Sequence, residues 1–278
     1  MVYESVVEET IISLLVNKDY ELIDENDYWV SNRKLDEFFN RDLLLDTLKR
    51  INHTNDESIL NEAINMLTRL ENPSLFERNF LFHKYLIDGV TVESKDYEVN
   101  PLIRFVDFEN PGDNVFQVSH QIKFNEGRSN RIPDVIIFIN GLPLATFELK
   151  NDYTNQTYEN AIAQYRTDRD PKELLLQKKR CAVHFAVDDC QVWMCTELAG
   201  KDSWFLPFNK GVNGGAGNPV VPGDTMTSYL WKEVFTKPVL SNIIENYAQV
   251  IVTEDPKTHK EKERVIWPRY HQLDAVRS

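Results

Sequence analysis

Three charged residues set inside apolar runs carry the chemistry that this sequence offers. The stretch Arg131-Ile-Pro-Asp-Val-Ile-Ile-Phe-Ile-Asn-Gly-Leu-Pro-Leu-Ala-Thr-Phe-Glu-Leu-Lys-Asn151 reads as two apolar strands joined at Asn140-Gly141, a strong short-range hairpin signal. Asp134, Glu148 and Lys150 stand in it where burial makes charge costly. Strand alternation puts Glu148 and Lys150 on one face, about 7 Å apart along the chain. Two carboxylates so placed suit a hard divalent cation, and a nearby ammonium suits an attacking water or a phosphate oxygen. An acidic-x-Lys triplet means little alone. It occurs at Glu93–Lys95, Glu148–Lys150, Asp170–Lys172 and Asp255–Lys257, and only the second lies in a strand that follows a Pro-Asp strand at hairpin distance. The apolar run Val135–Ile139 argues against an exposed strand with a solvated ion pair.

Register decides whether the two carboxylates can meet. A two-residue loop at Asn140-Gly141 pairs Ile139 with Leu142 and sets Asp134 opposite Phe147, so Asp134 and Glu148 point to opposite faces. A three-residue loop sets Asp134 opposite Glu148 on one face. Metal binding therefore requires a bulged or three-residue turn.

The elements that must position these residues follow from hydrophobic period. Ser5–Leu15 carries Val6, Val7, Ile11, Leu14 and Leu15 at helical spacing. From Arg33 to Leu70 the pattern stays helical, broken near His53–Asp56 and by Pro73. The period then changes to strand over Leu102–Phe108, Asn114–Phe124, Ile132–Ile139, Leu144–Lys150, Cys181–Val187 and Gln191–Thr196. Asn155–Asp168 and Pro171–Lys179 read as helical, Pro207–Pro222 as a glycine-containing loop, and Thr227–Val252 as helix. Strands, a helix and more strands give an α/β domain with a mixed sheet flanked by helices. The expected division is a core of residues 1–30 and 97–225, a mostly helical insertion at 31–96, a connecting helix at 226–252, and a linker leading into the start of a further domain at 253–278.

Composition narrows the partners. The 278 residues carry 31 basic and 44 acidic side chains, a net charge of −13. Spread evenly, that charge would repel phosphate. It is not even: residues 1–100 carry −11 and the stretch Lys123–Arg180 carries +2. An acidic body with a locally basic face is the resulting picture. The N-terminus has no basic region followed by an apolar one, no apolar run is long enough to span a membrane, and three cysteines fit a reducing compartment, so the expectation is a cytoplasmic protein without a membrane partner.

At Pro133-Asp134 followed by Glu148-x-Lys150 the chain resembles the PD-(D/E)xK nuclease core. With Asn79-Phe-Leu-Phe-His83, Gly89-Val90, Val106-Asp-Phe-Glu-Asn110, Asn130-Arg-Ile-Pro-Asp134 and the run from Asn140 to Asn151, it is similar to the endonuclease domain of the R subunit of type I restriction–modification enzymes, over about residues 1–275. The resemblance implies a restriction-endonuclease-like core and Mg²⁺, with Mn²⁺ as a substitute. The metal ligands it implies are Asp134, Glu148 and the backbone carbonyl of Leu149, with Lys150 as the motif lysine. It also implies an acidic residue from the first helix, Glu8 or Glu9. Gln164 matches the glutamine of a Gln-x-x-x-Tyr motif and becomes an active-site neighbour; position 168 is Asp where the motif has Tyr, and Tyr165 takes no assigned role. Arg166, Arg169, Lys172, Lys178, Lys179 and Arg180 are the expected contacts to DNA phosphates.

The closing segment Val265–Val276 resembles the adenine-reading Q motif of superfamily 2 helicases, with Gln272 as its glutamine. No G-x-x-x-x-G-K-[ST] is present. The expectation is a nuclease portion of a longer, ATP-driven subunit acting on double-stranded DNA with its own helicase domains and with modification and specificity subunits. The competing class is a nuclease-like module that docks DNA or the motor without chemistry. Cys181, His184, Cys190 and Cys195 match no usual zinc spacing, and the glycine loop at 211–217 lacks dinucleotide-site spacing.

Overall fold

The computed structural model describes residues 2–33, 37–68, 84–122, 133–173, 175–177, 180–254 and 261–277. Helix α1 (Val2–Val16) buries Ile11, Ile12 and Leu15. Strand β1 (Glu21–Ile23) follows, then α2 (Tyr28–Asn32), capped by the Asp27 carboxylate, which accepts the Trp29 N–H at 2.8 Å. Helices α3 (Arg41–Ile51) and α4 (Glu57–Thr68) show clear amphipathic spacing: Leu44, Leu48, Leu60, Ile64 and Leu67 are buried while their acidic faces stay out. The short strands β2 (Val90–Thr91) and β3 (Leu102–Ile103) pair antiparallel.

The centre of the fold is a mixed sheet. Its further strands are β4 (Phe116–His120), β5 (Val135–Ile139), β6 (Leu142–Leu149), β7 (Val183–Val187), β8 (Val192–Cys195) and β9 (Leu206–Pro207), with helix α5 (Tyr158–Thr167) between β6 and β7. Spatial order is β1-β4-β5-β6-β7-β8-β9. β1 with β4 and β6 with β7 are parallel; the other neighbours are antiparallel. A parallel β6–β7 pair needs a crossover, and α5 supplies it. Both faces of the sheet are covered, which is why β5, β6 and β7 are apolar almost without interruption. On one face Phe147 stacks on Phe185 at 5.2 Å and meets Trp231 and Phe235 at 4.9 and 5.1 Å. On the other, Ala161, Ile162 and Tyr165 of α5 pack with Ala186, Cys195 and Phe205.

The C-terminal part departs from the expected single helix over Thr227–Val252. A π-helical turn at Leu230–Val234 precedes α6 (Lys237–Asn246). Gln249–Glu254 is a strand, β10, paired antiparallel with β11 (Glu261–Ile266), and α7 (Tyr270–Arg277) follows. The expected linker at 253–278 is therefore a hairpin arm and a helix. Trp267 reaches Phe185 at 6.5 Å, and Tyr270 reaches Phe208 and Tyr229 at 5.9 and 5.0 Å, so this segment packs on the body of the sheet. Three other expectations differ. The described residues of Pro171–Lys179 form turns, because Leu175 and Leu176 enter two different apolar clusters. Of Leu102–Phe108 only Leu102–Ile103 is strand, and the edge strands β1 and β9 are additional. Asn79–His83, Asn130 and Pro73 lie outside the described residues.

Candidate active site

The hairpin that carries the charged residues satisfies the register condition by an unanticipated route. Asn140 and Gly141 take φ of 53° and 82°, the left-handed pair of a two-residue turn, and Ile139 pairs with Leu142 and Phe138 with Pro143. One residue later the register shifts: Ile137 pairs with Ala145, Ile136 with Thr146 and Val135 with Phe147. Leu144 is the extra residue of a β-bulge beside Pro143, whose missing N–H makes that place suited to a break in the ladder. The bulge restores the register that brings Asp134 opposite Glu148. The turn itself is locked from inside. The buried Asn140 amide accepts the Val115 N–H at 2.8 Å and donates to the Phe105 carbonyl and Asn114 Oδ1 at 2.8 and 2.9 Å. A Cβ on Gly141 would sit 2.6 Å from the Asn40 carbonyl oxygen.

Beyond the Val135–Phe147 pair Asp134 extends the ladder with both backbone and side chain. Its N–H donates to the Phe147 carbonyl at 3.0 Å, and its Oδ2 accepts the Leu149 N–H at 2.7 Å. Asp134 is half-buried, whereas Glu148 is completely buried. The two Glu148 oxygens accept from Arg169 Nε at 2.5 Å and Nη2 at 2.8 Å, a two-pronged ion pair with no solvent on either side. Burial, and next the Asp134 charge, push the Glu148 carboxyl above the usual carboxylate range, while Arg169 and Lys150 pull the other way. Lys150 is also buried, and its N–H donates to the Val187 carbonyl at 2.8 Å, extending the β6–β7 ladder. It borders a cleft of about 460 Å³ between α1, the ends of β6 and β7, and residues 224–231.

Helix α5 delivers the other side of the cluster. Thr157 and Asn160 form a capping box at its start. At its end the Gln164 carbonyl accepts both the Asp168 N–H (2.8 Å) and the Arg169 N–H (3.1 Å), which turns the chain and directs Arg169 to Glu148. Tyr165, four residues before Arg169, is fully buried; its hydroxyl shares a 2.8 Å hydrogen bond with Thr146 Oγ1, which lies 2.7 Å from His184 Nδ1. Burial lowers the His184 pKa to about 3 and raises that of Tyr165, so both are neutral at ordinary pH.

The structure thus gathers Asp134, Glu148 and Lys150 and adds Arg169, Tyr165, Thr146 and His184, none of which the sequence reading placed there. Four-residue spacing of Tyr165 and Arg169 was the available signal. Arg169 corrects an expectation: it is a buried partner of Glu148, not an exposed phosphate contact. Arg166 is exposed, with its guanidinium on the Ser203 carbonyl at 2.9 and 3.2 Å, and Lys172 is exposed. Arg180 is half-buried over the Phe38 ring at 3.8 Å. Lys178 and Lys179 lie outside the described residues. Gln164 is half-buried on α5. Of the two candidates on α1, Glu8 is buried and accepts from Gln121 Nε2 at 3.1 Å, whereas Glu9 is exposed. Gln272 is exposed at the start of α7, its Oε1 accepting the Arg269 N–H at 2.8 Å. Among the described residues no group of three or more His, Cys, Asp and Glu side chains is placed to hold a metal, and none of the helices is long and apolar enough to cross a membrane.

A mixed seven-stranded sheet flanked by helices, with Asp134 and Glu148-x-Lys150 brought together on a bulged hairpin, is compatible with a restriction-endonuclease-like fold. Residues 1–203 match the family described as Type I restriction enzyme R protein N terminus, and the chain belongs to that family. Among curated relatives, the type I restriction enzyme HindI endonuclease subunit of Haemophilus influenzae is 34% identical over 131 residues, covering 46% of this chain and 12% of the relative. A Methanocaldococcus jannaschii protein, whose name assigns it as the MjaIXP endonuclease subunit of a type I restriction enzyme, is 33% identical over 126 residues, 43% of this chain and 12% of the relative. The matched segments therefore span about one-eighth of the length of these relatives.

Proposed function

We propose that this chain is the DNA-cleaving part of a type I restriction R subunit, a Mg²⁺-dependent phosphodiesterase that cuts double-stranded DNA without sequence preference of its own. One observation carries the reading: the bulge at Leu144 pairs Val135 with Phe147, the register in which Asp134 falls opposite Glu148, two residues before Lys150. The donor set fits a hard divalent cation. Mg²⁺ keeps several waters and uses one or two carboxylates with substrate phosphate oxygens, and Asp134 and Glu148 are two oxygen donors of that kind, with the Leu149 carbonyl beside them. When bound, the cation supplies Lewis-acid polarisation of a phosphoryl oxygen and a more acidic water.

The residues of the chain divide the remaining work. Asp134, half-buried and fixed by the Leu149 N–H, supplies the first carboxylate. Glu148 supplies a second charge from the dry side of the sheet. Lys150, buried beside the cleft, holds a positive charge where it assists the nucleophile or the charge that develops on phosphate. On this reading Glu8 and Gln164 are the secondary members of the site, and Arg166 and Lys172, both exposed, are its contacts to the DNA backbone. ATP consumption, translocation and target choice belong to helicase domains and to modification and specificity subunits outside this chain, with Gln272 as the candidate adenine contact.

The test is cleavage by the full subunit assembled with its partners. Asp134→Ala and Lys150→Ala each abolish DNA cleavage and leave ATP hydrolysis intact if the reading holds. Undiminished cleavage with normal ATP hydrolysis overturns it in favour of a non-catalytic docking module.

A further inference from the structure

Glu148 has a role in this site that its present surroundings oppose. Both of its oxygens are taken by one guanidinium, at 2.5 and 2.8 Å, and the carboxylate has no exposure through which a cation could reach it from solvent. Asp134, by contrast, is half-buried. We propose that Arg169 is a counter-charge latch: it holds Glu148 in the metal-free chain and gives up at least one carboxylate oxygen when a divalent cation binds between Asp134 and Glu148. The inference rests on the reading of Asp134 and Glu148 as cation ligands.

Three observations support a latch over a fixed brace. Arg169 is a monovalent cation on the carboxylate that a divalent cation would have to share, so the two compete for the same lone pairs and repel each other. Arg169 stands beyond the last turn of α5, after the cap residue Asp168, on a connection built of turns, so its guanidinium can withdraw without unwinding the helix. The prongs are geometrically specific: a lysine offers one point charge and cannot span both oxygens. Arg169 is thus a positioning residue that acts through Glu148 and sets how readily the site loads.

Manganese binding to the purified chain, followed by electron paramagnetic resonance of free Mn²⁺, tests the latch apart from any activity. Arg169→Lys keeps the charge and leaves one Glu148 oxygen open, and it should bind Mn²⁺ about tenfold more tightly than the wild type, the scale on which partners of metal ligands tune affinity. Equal or weaker binding by Arg169→Lys overturns the latch and leaves the metal site standing. Absence of binding in the wild type, matching an Asp134→Ala control, overturns both. Should Arg169→Lys not fold, the Arg169 Nε–H resonance of wild-type chain labelled with nitrogen-15 arginine gives the same decision. Saturating Mg²⁺ shifts that resonance if the latch opens, and an unchanged resonance in Mg²⁺-saturated chain overturns the proposal.

Discussion

Removing Arg169 without removing Glu148 leaves a carboxylate in the interior without its hydrogen-bonded counter-charge. Both partners of this pair are at most 2% exposed as side chains, and both hydrogen bonds are charge-assisted. Breaking such a buried pair from one side costs roughly 3–5 kcal/mol, about a fifth or more of the ~5–15 kcal/mol that holds an ordinary domain together. Arg169→Met should therefore lose about 3–5 kcal/mol in urea unfolding followed by tryptophan fluorescence at pH 8.5 without divalent metal. The sign of the pH dependence follows from Glu148. Burial already holds the Glu148 carboxyl above its unfolded value with Arg169 present, and loss of Arg169 raises it further, so the folded variant binds the extra proton more tightly. Stability is then retained at low pH and lost as pH rises from the unfolded toward the folded pKa. The deficit of Arg169→Met relative to wild type should be smaller at pH 6 than at pH 8.5. Glu148→Gln combined with Arg169→Met removes both charges and should recover most of the loss. A deficit under about 1 kcal/mol, a deficit that does not grow with pH, or a double variant no more stable than Arg169→Met would show that Arg169 is not the counter-charge of a buried Glu148 carboxylate.

Other consequences are narrower. His184 is neutral in the fold, with a pKa lowered to about 3 by burial, and titrates near its ordinary value when unfolded. The unfolded chain takes up the proton first, so between pH 7 and pH 5 this residue should cost about 2 kcal/mol of stability; the slope difference between wild type and His184→Gln in that window measures it, and parallel curves would contradict it. Gly141→Ala combines a φ of 82° with a Cβ 2.6 Å from the Asn40 carbonyl oxygen, and a thermal melt should show a loss of roughly 2 kcal/mol or more. Cys190 is the exposed thiol, whereas Cys181 and Cys195 are buried, so alkylation of the native chain should stop at one modified cysteine and reach three only after unfolding.

The charged cluster was legible in the sequence because charge inside an apolar strand is expensive, and Asp134, Glu148 and Lys150 each interrupt such a run. Register was legible only as a condition. The Asn140-Gly141 pair announces its two-residue turn, but the compensating bulge at Leu144 depends on how Pro143 meets Phe138 across the hairpin. Arg169 was misassigned for a related reason. Six cations near the end of α5 have the same local pattern, and the burial of one of them depends on Glu148, 21 residues earlier, through a β–α–β crossover that no periodicity encodes. The turn-rich stretch after Pro171 mimicked a helix because Leu175 and Leu176 serve separate clusters. β10 was hidden in a helical reading even though Val250-Ile-Val-Thr253 is strand composition, since its partner Glu261-Lys-Glu-Arg264 is charged and carries no strand signal of its own.

Asp134 and Glu148, set on one face by the bulge, are proposed to hold a divalent cation together. A crystal of the chain soaked in Mn²⁺ and measured for anomalous scattering tests it most directly. A single strong peak is expected within about 2.0–2.3 Å of a carboxylate oxygen from each residue, with the Arg169 guanidinium moved off at least one Glu148 oxygen. A fully soaked crystal with no peak there, or with Mn²⁺ bound only elsewhere while the Glu148–Arg169 pair stays closed, would contradict it.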